Sequence, residues 1–484
     1  MLSHTPSGPI LVYLGANAHA ELERQLLDLD PAIRFIESQI YPERGQYQGS
    51  DAPPSAATIR FDANLWAASP KIRFTRLNGG NRIDIINAVL NDKLLPLLWT
   101  RFGGKTRLSN RSEVKRYEVA YSLAKSAIDA CMKNRPRAVV FSYEPHMLPM
   151  YIFKKVCEAM GIPSYTMSVS PFNWKMFLDE VNVDAQTALG DGLQSGDAAS
   201  GAESVARFIE EKKSDYSVAK PFYEKRLNSL GVGRRFVYKL RANGWRPHKI
   251  ILGQMAQANY RRLATPRATL RDKPYVCVFM QLQPEQTTLP DGGLFVHHLF
   301  AIQSLYAALE PLGIALVIRE HPATFETAYN PTWRPLDFYQ NIKDIGPGIF
   351  FDELGADPYS LIKNAAAVSA ITGTVLLEGM LQGRPAIAFG KHPLKGHVAP
   401  SFVDGFADEV DLRAKVQAAL AQSPQAIIQD VESYLHRVYP ASFGPGQYVG
   451  NNKMSLDVLR EARYTALRQI IGLMNEKQQS KEHS

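Results

Sequence analysis

The chain has 484 residues, of which 45% are hydrophobic and 21% charged, with a net charge of +8 at neutral pH. This length predicts two or three domains, and the balance is that of a globular protein able to bury a sizeable core. No apolar run approaches the roughly 18 residues of a membrane span, and the first residues lack a charged and apolar secretory pattern, so a cytoplasmic protein is expected. Cys131, Cys157 and Cys277 have no CxxC spacing and predict reduced, buried thiols. The positive excess is smaller than that of a dedicated nucleic-acid binder, and no nucleic-acid partner is expected.

The apolar run 9–14, followed by Gly15-Ala16-Asn17 and a helical pattern over 20–27, reads as the opening of a Rossmann-like unit. Gly15 belongs to no GxGxxG, so nothing here specifies a dinucleotide. Short strands are predicted over 59–61 and 71–74 and a helix over 83–99. A stronger helix covers 112–133, where Val119, Leu123, Ala127 and Cys131 recur at period four. The strand 138–142 ends at Tyr143-Glu144-Pro145-His146. A helix over 148–160, a Gly161-Ile162-Pro163 turn and a strand over 164–169 complete a βαβ return.

Glu144 stands at the carboxyl end of its strand, where parallel sheets carry catalytic groups, and is the candidate catalytic carboxylate of the N-terminal half. Asp179, Glu180 and Asp184 are further acidic candidates in the loop that follows. The Gly/Ser/Asp-rich 190–197 reads as a connection or a lid, and 202–230 as a charged helix. Between Arg234 and Lys273, eleven Lys/Arg stand against Asp272 alone, with Phe236, Tyr238, Trp245 and Tyr260 interleaved. That stretch is either a solvated helix face with an interdomain linker or a patch able to hold anionic lipid head groups, as at an inner membrane surface, a charged acceptor or nucleic acid. A domain boundary is expected near Asp272.

The stretch 274–391 organises the chain. Four apolar runs, 275–280, 314–318, 366–370 and 386–389, each stop at polar residues. The first ends in Gln281, Gln283 and Glu285, which alternation places on one face, offering directional hydrogen bonds to a polyhydroxy ligand. The turn at Asp291-Gly292-Gly293 lets backbone approach that ligand. The second run ends in Arg319-Glu320-His321-Pro322; an imidazole there can donate to a phosphate oxygen or be satisfied within the core. The third ends in Thr372-Gly373-Thr374 before a helix carrying Glu378. Exposed amides and two hydroxyls suit a phosphate, and Glu378 can accept both hydroxyls of a ribose or serve as an ordinary first-turn acid. The fourth ends at Gly390-Lys391. No HExxH, paired CxxC, Walker lysine motif, G-x-S-x-G or DxD metal motif occurs. No cofactor or metal is expected, and a transferase that neutralises a leaving phosphate with amides and basic side chains fits a GT-B layout.

These residues also carry a resemblance. The run from Gln281 to Gly293 resembles the LQxxPExTTxPxGG signature of bacterial capsule and surface polysaccharide biosynthesis proteins. Arg319-Glu320-His321-Pro322 resembles their KEHP motif, with Arg in place of Lys. Thr372-Gly373-Thr374 through Glu378 to Gly390 resembles TGTxxxEALxxGKPVxxFG. The match covers about residues 274–400. The wider group includes capsule-synthesis Kdo transferases with GT-B folds that use CMP-β-Kdo. The resemblance implies that His321 and Thr372 to Thr374 hold the nucleotide phosphate, that Glu378 holds the nucleotide sugar, and that Gln281, Gln283 and Glu285 line the cleft. His392-Pro393, where relatives carry an aromatic pair, bears on donor choice.

The expectation is an α/β, GT-B-like glycosyltransferase with two Rossmann-like domains facing a central cleft and a C-terminal helix crossing back. Its domains are 1–271 for the acceptor, 272–455 for the activated sugar donor, and a helix and polar tail over 456–484. Glu144 and His321 are the catalytic candidates. Gln281, Gln283, Glu285, Gly292, Gly293, Arg319, Glu320, His321, Thr372, Gly373, Thr374, Glu378 and Lys391 are the donor-binding set. The partners are an activated sugar, a glycan or lipid-linked acceptor and an anionic membrane surface. The competing readings are a transferase using a UDP-sugar or phosphoribosyl pyrophosphate, a nucleotide-sugar epimerase, and a non-catalytic glycan-assembly subunit.

Overall fold

The computed structural model describes residues 8–13, 20–38, 58–61, 80–99, 113–172, 175–180, 198–214, 232–243, 245, 247–270, 273–285, 287–321, 323–326, 329–443, 463–472 and 474–476. The expected strand 71–74, Asp184, the loop 190–197 and Pro322 lie outside them.

Short apolar runs become strands buried on both faces. β1 (Ile10–Tyr13), β4 (Ala138–Phe141) and β8 (Ala315–Arg319) are buried at every position. Continuous burial is what a parallel sheet covered on both sides requires. The remaining strands are β2 (Arg34–Ser38), β3 (Thr58–Phe61), β5 (Ser164–Val169), β6 (Met176–Glu180), β7 (Tyr275–Phe279), β9 (Ile349–Phe351), β10 (Ala367–Ala370), β11 (Ala386–Ala388) and β12 (Phe402–Asp404). They form two six-stranded sheets, β3-β2-β1-β4-β5-β6 and β9-β8-β7-β10-β11-β12. Within each sheet the order is third, second, first, fourth, fifth, sixth, the doubly wound Rossmann order. All pairs are parallel except β5 with β6. The α/β class with two Rossmann-like units follows from this order and register. Asp179 and Glu180 are not in a loop: they pair within β6 opposite Thr166 and Tyr165.

The chain divides into two compact units. Of the described residues, unit 1 takes those up to Gly201 and from Val438 onward, and unit 2 takes Ala202–Arg437. The division therefore falls at Gly201/Ala202 rather than near Asp272. The reason lies in the helix Pro247–Leu263, whose Ala256 and Tyr260 are buried in the core of unit 2 with Leu316, Ile318 and Phe351. The Tyr260 hydroxyl donates to the carbonyls of Asp352 (2.7 Å) and Ile318 (3.2 Å), tying that helix to the sheet. In unit 1, residues 463–472 are helical and bury Tyr464, Leu467, Ile470 and Ile471 with Ile10, Val12 and Phe35. The C-terminal segment thus crosses back to the first sheet.

The helix Leu148–Met160 ends as its sequence dictates. Gly161 takes φ 66°, ψ 27°, and Ile162 N–H donates to Cys157 O at 2.9 Å, a left-handed cap that a Cβ would disfavour. The helix predicted over 83–99 is instead two, Gly80–Leu90 and Leu95–Leu98. Asp92 Oδ1 accepts Leu94 N–H at 2.9 Å and Pro96 opens the second. Among the described residues no helix is long and apolar enough to cross a membrane.

Candidate functional site

In a doubly wound sheet the ligand crevice opens where the strand order reverses, outside the carboxyl ends. In unit 2 that point lies between β7 and β10. The segments leaving these strands are joined by one side chain. Gln281 Oε1 accepts Thr372 N–H at 3.0 Å, and Gln281 Nε2 donates to Thr372 Oγ1 at 3.1 Å. Thr372 Oγ1 donates in turn to Thr287 O at 2.5 Å. Thr372 is buried, Gly373 half-buried and Thr374 exposed, so only the end of the turn meets solvent. A Cβ on Gly373 would meet nothing closer than 3.5 Å. A Cβ on Gly292 would stand 2.5 Å from Thr288 O, and one on Gly390 2.5 Å from Thr372 Cγ2 and 2.7 Å from Asp291 O. Lys391 N–H donates to Asp291 O at 2.9 Å. Gly293 takes φ +51°. The loops after β7 and β11 are therefore in backbone contact, which Gly390 permits, and the loop after β10 joins them through the Gln281 and Thr372 side chains.

Beneath these loops lies a polar network that the sequence did not reveal. Gln281 N–H donates to His298 Nε2 at 3.1 Å, so the His298 proton sits on Nδ1, which donates to Gln283 Oε1 at 2.6 Å. Gln283 Nε2 donates to Val296 O, and Arg334 Nη1 donates to Gln283 Oε1. Arg334 also donates to Glu320 Oε2 (2.7 Å) and to Gln281 O (3.2 Å), and lies 4.6 Å over the Phe338 ring. Glu320 further accepts Tyr339 OH (2.7 Å), Thr324 OH (3.1 Å) and His321 N–H (2.8 Å). Burial and the Arg334 cation hold His298 well below its ordinary 6.5, and burial first, then the Glu320 carboxylate, pushes the Tyr339 hydroxyl up.

The expected donor-binding residues thus separate. Gln281 and Gln283 are buried and shape the loop, whereas Glu285 is exposed; the three do not share one face. Glu320 is 1% exposed and fully engaged within the fold. Arg319 pairs with Asp352 and donates to the carbonyls of Ala356 (2.7 Å) and Glu353 (3.3 Å). Asp352 is also held by Arg267 at 2.7 Å. Arg319 and Glu320 are scaffold, since their charges are matched inside unit 2.

His321 is half-buried. Its Nδ1 accepts Ala323 N–H at 3.2 Å, which puts the ring proton on Nε2. Burial is the main reason its pKa falls to about 4; the Glu320 carboxylate opposes this, and the Arg334 and Arg319 cations reinforce it. At neutral pH it is a neutral N–H donor. Glu378 is 8% exposed, and Lys212 from the helix Ala198–Ser214 reaches its Oε1 at 3.3 Å. Lys212 and Arg334 come from charged or turn-forming stretches whose spacing carries no signal; the His297-His298 doublet was the one visible cue. His392 is buried, with its ring stacked 5.2 Å from Phe402 and Nδ1 accepting Leu394 N–H.

In unit 1 the order reverses between β1 and β4, and Ser142 N–H donates to Tyr13 O there. Glu144 follows directly and is 7% exposed. Its carbonyl accepts His146 Nδ1–H at 2.7 Å, and the His146 ring lies 5.5 Å from Tyr143. Among the described residues no cluster of three His, Cys, Asp or Glu side chains could hold a metal.

No protein-family profile and no curated protein matches this chain. Solved structures do. The KpsC β-Kdo 2,7 transferase of Thermosulfurimonas dismutans is 13% identical, with 64% of this chain and 89% of that one covered and a TM-score of 0.27. UDP-GlcNAc 2-epimerase of Methanocaldococcus jannaschii, solved with UDP-GlcNAc and UDP, is 9% identical over 88% and 99%, with a TM-score of 0.29. The sucrose-phosphate synthase of Thermosynechococcus elongatus is 12% identical over 98% and 99%, also at 0.29. At these scores the fold assignment rests on strand order and register alone.

Proposed function

We propose that the protein is a glycosyltransferase that takes a sugar from a nucleotide-activated donor. The observation that carries this reading is the reversal point of unit 2, where Gln281 bridges to Thr372 and leaves Gly373 half-buried and Thr374 exposed beside the close backbone approach at Gly390. Such a shelf suits a diphosphate or phosphodiester that must approach backbone amides closely. As the glycosidic C–O bond of the donor breaks, negative charge gathers on the leaving phosphate oxygen. The amides of Gly373 and Thr374 and the Nε2–H of neutral His321 are the donors that would receive it. Glu378, backed by the Lys212 ammonium, would accept sugar or ribose hydroxyls. Glu144 would take the proton of the acceptor hydroxyl, or attack the anomeric carbon itself. Gln281, Gln283, Glu320 and Arg319 would position the loops. The narrower reading, a CMP-Kdo-like donor in capsular or surface polysaccharide synthesis with a glycan or lipid-linked acceptor, rests on the three motifs resembling that family.

The test is calorimetric titration and turnover with CMP-, UDP- and GDP-sugars and phosphoribosyl pyrophosphate. One donor class is expected to bind. Glu144→Gln should keep that binding while transfer falls by at least about a hundredfold, and His321→Ala should weaken both binding and turnover. If product formation survives both substitutions, this assignment of the catalytic residues is wrong. An isomerised nucleotide sugar released without acceptor would replace it with an epimerase.

A further inference from the structure

We propose that the elbow formed by the helices Val232–Ala242 and Pro247–Leu263 is a docking surface for an anionic lipid bilayer, with Trp245 as its interfacial anchor. The inference does not depend on the catalytic reading.

Three independent features converge there. The first is strain. Trp245 has φ +60°, a left-handed conformation that bulky side chains rarely adopt. Hydrogen bonds hold it in place: Trp245 N–H donates to Leu240 O at 2.8 Å and Asn243 N–H to Lys239 O at 3.0 Å. The indole is nevertheless 65% exposed. The strained backbone presents the ring to solvent instead of burying it.

The second feature is an inverted helix face. Gly253, Ala256 and Tyr260 of Pro247–Leu263 are buried in the core of unit 2. The opposite face of a soluble helix is normally polar. Here it carries Ile251 at 58% and Met255 at 48% exposure, one turn apart, and Val237 on the preceding helix is 51% exposed.

The third is charge. Between residues 232 and 271 the sequence has ten Lys and Arg and no Asp or Glu. Arg267 is engaged by Asp352, whereas Arg234, Arg261 and Arg262 are exposed. A cationic surface is drawn to an anionic one, and the attraction weakens with salt. Cations alone would suit any polyanion. Apolar side chains and an indole presented among them suit the headgroup–acyl boundary of a bilayer, where Trp is favoured and apolar area is buried.

The experiment uses the full chain and vesicles of about 30 mol% phosphatidylglycerol in phosphatidylcholine, at about 50 mM and 500 mM NaCl, without any sugar donor. The wild type should float with the anionic vesicles at low salt, bind at least about tenfold more weakly at high salt, and leave pure phosphatidylcholine unbound. Trp245→Gly relieves the left-handed strain, so its melting temperature should hold or rise while vesicle partitioning drops about tenfold. Ile251→Gln with Met255→Gln should give a similar loss, and Arg261→Gln with Arg262→Gln should flatten the salt dependence. No flotation of the wild type at low salt overturns the proposal. So does wild-type partitioning by Trp245→Gly and the Ile251/Met255 variant. Displacement by a single-stranded oligonucleotide that only the arginine variant impairs would replace the bilayer with nucleic acid.

Discussion

Arg334 is the side chain on which the candidate site most depends. It is 2% exposed, pairs with Glu320, and donates to Gln283 and to the backbone of Gln281. Burying such a pair gains little over an apolar pair, but removing one member leaves the other charged and unmatched. Arg334→Ala should therefore lower unfolding free energy by about 3–5 kcal/mol in urea melts. Tyr339→Phe removes one of four donors to Glu320 and should cost only about 1–2 kcal/mol. Equal losses would mean that the charge pair is not what sustains the network. His298 belongs to the same arrangement. Its tautomer is fixed by Gln281 N–H, so it acts as a directional link between two loop residues, not as a proton donor to ligand.

At the scale of elements, the loops after β7, β10 and β11 act as one shelf because side chains are missing where they meet. Gly390→Ala would bring a methyl 2.5 Å from Thr372 Cγ2 and 2.7 Å from Asp291 O, a backbone contact that cannot yield. The expected cost is about 1–3 kcal/mol, read as a lower melting temperature together with weaker nucleotide binding. Gly373→Ala meets only ordinary contacts at 3.5 Å and should leave melting unchanged. If the diphosphate rests on this turn, the same methyl should weaken nucleotide affinity by about tenfold, a split visible by comparing calorimetry with thermal melts.

The strands bearing this shelf were legible because β7, β8, β10 and β11 lie in apolar runs, interrupted only by Ser369 in β10 and closed by Arg319 in β8, and are buried almost throughout. β9 and β12 are three residues long, and β2 reads Arg-Phe-Ile-Glu-Ser, so their place came only from pairing with neighbours. The polar ends were legible as a site. Which of them face a ligand was not, because that depends on Arg334, Asp352 and Lys212, which arrive from elsewhere in the chain. Arg319 shows this plainly: its position in the sequence suggested a phosphate contact, and Asp352 turns it inward.

Across the whole molecule, the histidines whose pKa values are held low among the described residues lie in unit 2, which should give that unit its own response to acid. His298, His321 and His392 lie in unit 2, and burial holds all three below 6.5, His321 to about 4 and His392 to about 3. In the folded chain they stay neutral while the unfolded chain takes up protons near pH 6.5. Their contribution is thus fully present above that value and is lost as pH falls toward 4, by up to about 1.4 kcal/mol per histidine per pH unit. Lys175 in unit 1 behaves oppositely in range. Burial lowers its pKa to about 8, so below that it is protonated in both states, and its effect on stability changes only between about 8 and 10.5, rising with pH. Mild acid should therefore weaken unit 2 selectively. Hydrogen exchange compared at about pH 7.5 and 5.5, above the ordinary carboxylate range, should show β7, β8, β10 and β11 losing protection while β1 and β4 keep theirs. Substituting His392→Gln should remove about one proton's worth of that slope. Uniform loss across both sheets would show that the buried histidines do not govern the acid response.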